Sequence, residues 1–183
     1  MKIFKKIAIS ISAFFFIFPL YSFAEDEVGT VFITGANRGI GLEFTKQYLE
    51  RGWTVIATAR KPEKAEDLNQ LEIQYPGHLS IQQLDVTDHE RIDTLAKELE
   101  GQSIDLLLNN AGISGYIPDQ IFGRLDYDSF EQVLAVNTVA PLKMAEAFYP
   151  HIKSSNLKKI VSVSSSEGSI GGAYDDESGR MYF

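Results

Sequence analysis

Short apolar segments alternate along the chain with longer segments whose apolar residues recur every three or four positions. The short segments are apolar at successive positions, which is typical of strands buried on both faces of a parallel sheet. Five strands are predicted in this way, at Val28–Thr34, Trp53–Ala59, Leu79–Leu84, Ile104–Asn109 and Lys159–Ser164.

The longer segments predict helices between these strands. Ile40, Phe44 and Tyr48 fall on one face of the first helix, and Asp88 has the side chain of an N-cap for the third. The helices are predicted at Gly39–Arg51, from Pro62, from Asp88 to about Glu100 with Ile92, Leu95 and Leu99 facing inward, from Asp128, and from Pro141 towards Lys153.

This alternation of strand and helix predicts an α/β fold with an open, doubly wound parallel sheet. Right-handed crossovers between parallel strands favour the strand order 3-2-1-4-5. Ligands of such sheets bind beyond the carboxyl ends of the strands, here near strands one and four. Residues that directly follow a strand are therefore the first candidates for a site.

The composition supports one folded domain and excludes several kinds of site. Of the 183 residues, 44% are hydrophobic, which is enough for a packed core, and the formal net charge is −8. No basic stripe offsets this acidic excess, so no nucleic acid partner is expected. The chain has no cysteine and only three scattered histidines, so neither a disulfide framework nor a metal site is predicted.

The first 24 residues have the character of a targeting segment. Three lysines precede an uncharged run at 7–20, and Ser22-Phe23-Ala24 carries the small residues that a signal peptidase reads. We expect a signal peptide over residues 1–24 and an exported domain over residues 25–183. An uncleaved membrane anchor is the alternative, because residues 7–24 are all uncharged. An inward-facing anchor or a misassigned start codon would leave the protein in the cytoplasm.

A glycine-rich turn, Thr34-Gly35-Ala36-Asn37-Arg38-Gly39-Ile40-Gly41, connects the first strand to the first helix. Glycines let the backbone turn tightly and approach a diphosphate, whose oxygens then bind the N–H groups at the helix N-terminus. The same composition also suits an ordinary strand-to-helix turn. The residues predicted to contact a dinucleotide here are Gly35, Asn37, Arg38, Gly39, Ile40 and Gly41.

This turn resembles the glycine motif of the short-chain dehydrogenase/reductase family, and four further motifs of that family follow in order. They are Asp85-Val86 after strand three, Asn109-Asn110-Ala111-Gly112 at the end of strand four, Asn137 shortly before Pro141, and Ser164-Ser165-Ser166-Glu167-Gly168 at the end of strand five. The resemblance covers Val28 to about Gly172 and implies a Rossmann fold that binds a nicotinamide dinucleotide.

The resemblance implies a role for each of these motifs. Asn109 is expected to be structural and to tie neighbouring strands through its amide. Asn137 and Ser165 are the expected catalytic residues, with Ser165 selected because it lies three residues before the motif's glycine. Asn137 alternatively only distorts its helix, and Asp85 alternatively only forms a turn. The further cofactor contacts that the resemblance implies are Asp85, Val86, Asn110, Ala111 and Gly112.

The end of strand two bears on the choice of dinucleotide. Sites for NAD place a carboxylate there for the ribose hydroxyls, whereas this chain reads Thr58-Ala59-Arg60-Lys61, with no acid before Glu63. An arginine offers paired hydrogen bonds to a 2′-phosphate. Arg60, with Arg38 as a second cation, therefore predicts a preference for NADP(H), unless both arginines are only solvated surface residues.

The family's catalytic pair, a tyrosine followed four positions later by a lysine, is not found after the serine motif within the 183 residues. Tyr174 is followed at that spacing by Ser178, and Tyr182 is the penultimate residue. Either Tyr182 is the acid and its lysine is lost, or Tyr182 precedes the true tyrosine of a longer chain. Both interpretations imply that the C-terminal strands are missing, so that strand five becomes a sheet edge.

The resemblance implies an NADP(H)-dependent oxidoreductase that transfers hydride between the cofactor and a small carbonyl or secondary alcohol substrate. The alternative is a catalytically incomplete fragment that only binds a nucleotide or a partner. Homo-oligomers are common in the family. The loop Ser114–Asp126 either covers part of the substrate pocket, or its apolar residues pack locally or at a subunit contact; these are Tyr116, Ile117, Ile121 and Phe122.

Overall fold

The computed structural model describes residues 28–116, 120–121 and 123–165. The predicted signal segment, Tyr174, Tyr182 and the serine motif from Ser166 onwards lie outside the described residues. The strands are β1 (Thr30–Ile33), β2 (Thr54–Ala59), β3 (Leu79–Gln83), β4 (Leu106–Asn109) and β5 (Lys159–Ser162). The helices are α1 (Gly39–Glu50), α2 (Glu66–Gln74), α3 (His89–Glu98), α4 (Tyr127–Leu134) and α5 (Ala140–Lys153), with a short 3-10 turn at Pro62–Lys64.

The five strands form one parallel sheet in the order β3-β2-β1-β4-β5, which confirms the predicted fold class and strand order. Val31 of β1 pairs with Val55 of β2 on one side and with Leu106 of β4 on the other. Because all strands run in the same direction, their carboxyl ends lie at one edge of the sheet. The loops that carry the predicted motifs therefore emerge at that edge.

Both faces of the sheet are covered, because successive side chains of a strand point to opposite sides. On one face Val31 and Ile33 belong to a buried cluster that includes α1 and α2 residues. On the other face Phe32 packs against Phe148 of α5, with the ring centroids 4.6 Å apart. Ile92 and Leu95 of α3 are fully buried in this second cluster, as predicted, and Leu99 packs against it.

The predicted face of α1 is wrong for Ile40. This side chain is 62% exposed, whereas the face that enters the core carries Leu42, Thr45 and Leu49. Phe44 and Tyr48 are only partly buried against that core. The reason is position: Ile40 is the second residue of α1, at the edge where the helix begins.

The two helices predicted from Asp128 and from Pro141 join into one helical path. Asp126, rather than Asp128, is the N-cap of α4, and its carboxylate accepts hydrogen bonds from the N–H groups of Asp128 and Ser129. A π-helical turn at Ala135–Val139 then connects α4 to α5. Pro141 lies in the first turn of α5, as the sequence predicts, but α5 continues directly from the π-helical turn.

β5 is an edge strand in the described part of the chain. Its apolar side chains are correspondingly exposed, with Ile160 at 44% and Val161 at 43%. None of the helices in the described ranges has the length and apolar character that a bilayer span requires.

Candidate functional site

A groove of about 360 Å³ opens at the carboxyl edge of the sheet, beyond β1, β2 and β4. It is lined by all twelve residues that the sequence predicts for a dinucleotide, namely Gly35, Asn37, Arg38, Gly39, Ile40, Gly41, Arg60, Asp85, Val86, Asn110, Ala111 and Gly112. Four further residues line it that the motifs did not include, namely Ala59, Leu84, Ile113 and Val136. All four directly precede or follow a predicted site residue, so extending each motif by one position would have found them.

Two glycines of the turn serve different purposes. Gly39 has φ +55°, in the left-handed region, and a Cβ built on it meets nothing within 4 Å. Gly41 is instead packed so closely that a Cβ would collide with the carbonyl oxygen of Gly35 and the side-chain amide of Asn110. Gly39 thus leaves the groove open to a ligand, while Gly41 lets α1 approach the ends of β1 and β4.

The N-terminus of α1 is suited to an anion. Arg38 is the N-cap residue and makes no side-chain capping hydrogen bond, and the first turn contains no acidic residue. The first N–H groups of an α-helix have no partner within the helix, and the helix dipole adds positive potential there. The 12-residue α1 therefore presents backbone donors at the wall of the groove.

The turn is fixed to β4 by a set of hydrogen bonds around Thr34 and Asn110. The Thr34 hydroxyl oxygen accepts from the backbone N–H groups of Asn110 (2.9 Å) and Ala111 (3.0 Å). The Asn110 amide in turn donates to the carbonyl oxygens of Thr34 (2.9 Å) and Gly35 (3.2 Å). These bonds hold two of the predicted motifs together as one rigid wall.

The strand tie that the sequence analysis assigned to Asn109 is therefore made by Asn110. Asn109 is 4% exposed and donates from Nδ2 to the carbonyl oxygen of Pro141 in α5, at 3.4 Å. Its Oδ1 has no hydrogen-bond partner among the described residues. Neighbouring residues at a strand end point to opposite faces, so one asparagine reaches the helix and the other reaches β1.

Asn137 lies within the π-helical turn and holds the segment that follows β4. Its Oδ1 accepts from the N–H of Ile113 at 3.0 Å, and its Nδ2 donates to the carbonyl oxygen of Ile113 at 2.7 Å. π-helical turns often occur at functional sites because they displace side chains from the regular helical face. The predicted distortion of the helix at Asn137 is thus present, and its amide lies next to the groove residue Ile113.

Ser165 follows β5 at the same edge of the sheet and is exposed. The ladder between β4 and β5 continues to Val163, whose N–H donates to the Asn109 carbonyl oxygen at 2.9 Å. The topology therefore places Ser165 beside the end of β4, on the side of the site away from Arg60. The candidate tyrosines lie outside the described residues.

Charged groups are concentrated at the β2 and β3 end of the groove. Arg38 and Arg60 are exposed, and neither has an ion pair within the described residues. Asp85 lines the groove, but its Oδ1 accepts from the N–H and the hydroxyl of Thr87 at 3.0 and 2.7 Å. Asp85 therefore forms the turn that was predicted as the alternative, and it also lines the groove.

In the loop Ser114–Asp126, Tyr116 is 66% exposed and Gln120 is buried, with its Nε2 donating to the carbonyl oxygen of Ser114. Tyr116 does not pack into the core. Ile117 and Phe122, which the sequence analysis also considered for a pocket cover, lie outside the described residues.

A family model described as short chain dehydrogenase matches residues 29–175. Among curated proteins, (+)-neomenthol dehydrogenase of Arabidopsis thaliana is 36% identical over 169 residues, which cover 80% of this chain and 57% of that protein. Retinol dehydrogenase 5 of Mus musculus is 32% identical over 151 residues, covering 79% of this chain and 46% of that protein. The chain thus spans about half the length of these relatives.

Two solved structures of short-chain dehydrogenases or reductases are also similar to this chain. A short-chain dehydrogenase/reductase from Burkholderia multivorans with bound NADP has 32% identity and a TM-score of 0.72, covering 85% of this chain and 65% of that one. A carbonyl reductase from Pseudomonas aeruginosa PAO1 in complex with NADP has 28% identity and a TM-score of 0.71, covering 81% and 63%.

Proposed function

We propose a function on the premise that this chain belongs to the short chain dehydrogenase family. The protein is an oxidoreductase that transfers hydride between a nicotinamide dinucleotide and a small carbonyl or secondary alcohol. The observation that carries this proposal is the single groove that all twelve residues predicted for the dinucleotide line. Two similar structures that contain NADP support it.

The chemistry of the groove fits a dinucleotide. The backbone donors at the start of α1 suit a diphosphate, and the open space at Gly39 leaves room for it. Arg38 and Arg60 add positive charge at one end, while Ile40, Val86 and Ala111 add apolar surface. A bound nicotinamide would supply the hydride chemistry, so the role of the chain is to bind and orient it.

Titration calorimetry of the full chain with NADPH and NADH tests this function. We expect binding heat that Gly41→Val abolishes, because the larger side chain would displace the turn from β4. A well-folded chain that gives no heat with either nucleotide would contradict the proposal.

For the cofactor we propose NADP(H). The support is the pair of exposed arginines without ion pairs in the described residues, and the absence of an acid directly after β2. Arg60→Ala is expected to weaken NADPH binding about tenfold and to leave NADH binding nearly unchanged, because only NADPH has the 2′-phosphate. Arg51→Ala, an exposed arginine at the opposite end of α1, is the matched control. Equal affinities for the two nucleotides in the unaltered chain would contradict the preference.

For catalysis we propose that Ser165 holds the substrate oxygen and that Asn137 organises the nearby backbone for proton transfer. The hydrogen bonds of Asn137 to Ile113 and the position of Ser165 after β5 support these roles. The proton donor that the family requires is a tyrosine, for which Tyr182 or a residue beyond it is the candidate.

A second function, nucleotide binding without turnover, is favoured by one observation: no tyrosine that follows the serine motif within the 183 residues has a lysine four positions later. The pair at that spacing, Tyr149 and Lys153, lies in α5, before the serine motif. NADPH oxidation with a panel of ketones and aldehydes separates the two functions. Turnover by these 183 residues would contradict the need for the tyrosine–lysine pair. A downstream reading frame that continues the motif would support the enzyme.

We also propose that residues 1–24 direct export of the protein. The three lysines and the uncharged run that follows them support this proposal. Fractionation of a C-terminally tagged protein, with N-terminal sequencing of the product, tests it. A cytoplasmic product that retains residues 1–24 would contradict export.

A further inference from the structure

The backbone that follows β4 is held by two side-chain amides. Asn137 bonds both the N–H and the carbonyl oxygen of Ile113. The next carbonyl oxygen along the chain, that of Ser114, accepts a hydrogen bond from Nε2 of Gln120. Gln120 belongs to none of the sequence motifs, and the proposed function gives it no role. Its contact with a segment that borders the groove therefore needs an explanation of its own.

Gln120 is buried, which is unusual for a polar residue in a loop. It is only 2% exposed, although glutamine is mostly found on protein surfaces. Taking a side-chain amide out of water is unfavourable unless new hydrogen bonds replace those lost to solvent. The bond to Ser114, six residues earlier in the chain, is such a replacement. An apolar side chain of similar size would be buried without this cost, so the amide indicates that the bond itself is needed.

Gly115 lets the Gln120 amide and α4 approach the same stretch of backbone. Its φ is +66°, in the left-handed region that favours glycine. A Cβ built there would lie 3.1 Å from Nε2 of Gln120 and from Cγ2 of Val133, and 3.3 Å from Oγ of Ser129. Val133 and Ser129 belong to α4. The backbone after Ser114 is thus enclosed between that helix and the Gln120 amide.

The same stretch of chain borders one end of the groove. Gly112 and Ile113 line the groove beyond β4, whereas Arg60 and Asp85 line it beyond β2 and β3. An adenosine ribose phosphate at Arg60 and a diphosphate at the start of α1 leave the β4 end, at Ile113, for the nicotinamide half of the dinucleotide. A displacement of Ile113 would therefore affect that half of the ligand and not the adenosine half.

We propose that Gln120 is a positioning residue for the nicotinamide half of the cofactor. Its amide holds the Ser114 carbonyl oxygen, and through the adjoining peptide it fixes Ile113 at the wall of the groove. Asn137 holds Ile113 from the π-helical turn, so the wall depends on both amides. The inference rests on the proposed function, and it extends the site to a buried side chain that does not itself line the groove.

The test compares NADPH with 2′-phospho-ADP-ribose, which is the same nucleotide without its nicotinamide, by titration calorimetry of the full chain. Gln120→Met removes the amide donor and keeps the length of the side chain. We expect NADPH binding to weaken about three- to tenfold, and the affinity for 2′-phospho-ADP-ribose to change by less than about twofold. Gln132→Met, the same substitution at an exposed glutamine of α4, is the matched control and should leave both affinities unchanged.

The outcomes separate the role of Gln120 from the function on which it rests. If both probes bind the unaltered chain but Gln120→Met behaves like Gln132→Met, the role is overturned and the proposed function stands. Equal losses for both probes overturn it too, because they would show a general effect on the fold. Equal affinities of the unaltered chain for the two probes also overturn it, since the nicotinamide would then add nothing to binding. A well-folded chain that binds neither NADPH nor NADH overturns both proposals.

The remaining arms of the experiment cover the other cofactor and a variant that does not fold. If the chain binds NADH more tightly than NADPH, NADH and ADP-ribose replace the two probes, with the same expected result. If thermal melts show that Gln120→Met does not fold, Gly115→Ala takes its place, because its methyl group would press on Nε2 of Gln120. The same selective loss of affinity for the intact dinucleotide is expected, and an unselective loss would overturn the role of Gln120.

Discussion

Among the described glycines, Gly41 of the glycine turn leaves the least room for a side chain. The obstacles there are the Gly35 carbonyl oxygen and the Asn110 amide, which are hydrogen-bonded to each other, so neither can move without breaking that bond. At Gly39 the limit is the backbone angle alone. Glycine is thus required at Gly39 for its backbone angle and at Gly41 for the absence of a side chain.

Gly41→Ala is expected to lower nucleotide affinity at least about tenfold and to reduce the free energy of unfolding by about 1–3 kcal/mol, because overpacking displaces the turn. Calorimetry and urea unfolding measure the two effects. Gly77→Ala is the control: it introduces a strained positive φ of +80° with open space around it, in the turn before β3. Nucleotide affinity that falls equally in both variants would contradict the steric explanation.

At the scale of single residues, the sequence predicts which residues line the groove better than it predicts the contacts that each side chain makes. All twelve predicted contacts line one groove: the glycine turn and the end of strand two supplied seven, and the family resemblance supplied Asp85, Val86, Asn110, Ala111 and Gly112. The tie predicted for Asn109 is made by Asn110, which also lines the groove as predicted. The sequence could not separate the two asparagines, because the direction of each side chain depends on where β4 ends.

Among the elements, the helical path from α4 to α5 departs furthest from the prediction. The sequence indicates two helices, whereas the chain continues through a π-helical turn that carries Asn137. A π-turn contains one extra residue, and neighbouring structure must accommodate it. The periodicity of apolar residues carries no information about that neighbour, so it cannot predict the π-turn. Here the neighbour is the backbone of Ile113, bonded twice by Asn137.

Asn137→Ala is expected to release the segment after β4 and to cost about 1–2 kcal/mol of stability, because the Ile113 N–H and carbonyl both lose a partner. Amide hydrogen exchange at Ile113 is the direct measurement and should become faster. Asn156→Ala is the matched control, since the side chain of this exposed asparagine makes no contact with Ile113. Unchanged protection at Ile113 in Asn137→Ala would contradict the assigned role.

Across the described part of the molecule, the sheet is held together at the edge opposite the groove as well as at the groove itself. At the amino edge the carboxylate of Asp105 accepts from the N–H groups of Thr30 (2.9 Å), Asn156 (3.1 Å) and Leu157 (3.3 Å). It thereby connects β4 to β1 and to the turn before β5. The strand order itself followed from the sequence, because crossover handedness allows few alternatives.

Asp105→Ala is expected to reduce the free energy of unfolding by about 2–4 kcal/mol, because three backbone donors lose a charged acceptor. Urea unfolding measures the loss. In the folded fraction the nucleotide affinity should equal that of the unaltered chain, because the change lies at the far edge of the sheet. A parallel loss of affinity would show that the two edges are coupled.

The 3-10 turn at Pro62–Lys64 pairs with no strand of the sheet and is held by hydrogen bonds from Ala65 and Asn69 to the Pro62 carbonyl oxygen. The side chains of Lys61 and Lys64 are exposed and make no ion pair within the described residues. Substitutions in this short exposed stretch are therefore expected to change the preferred coenzyme and to leave the rest of the fold unaltered. Among descendants of this protein that use different coenzymes, we expect the sequences to differ first in this stretch.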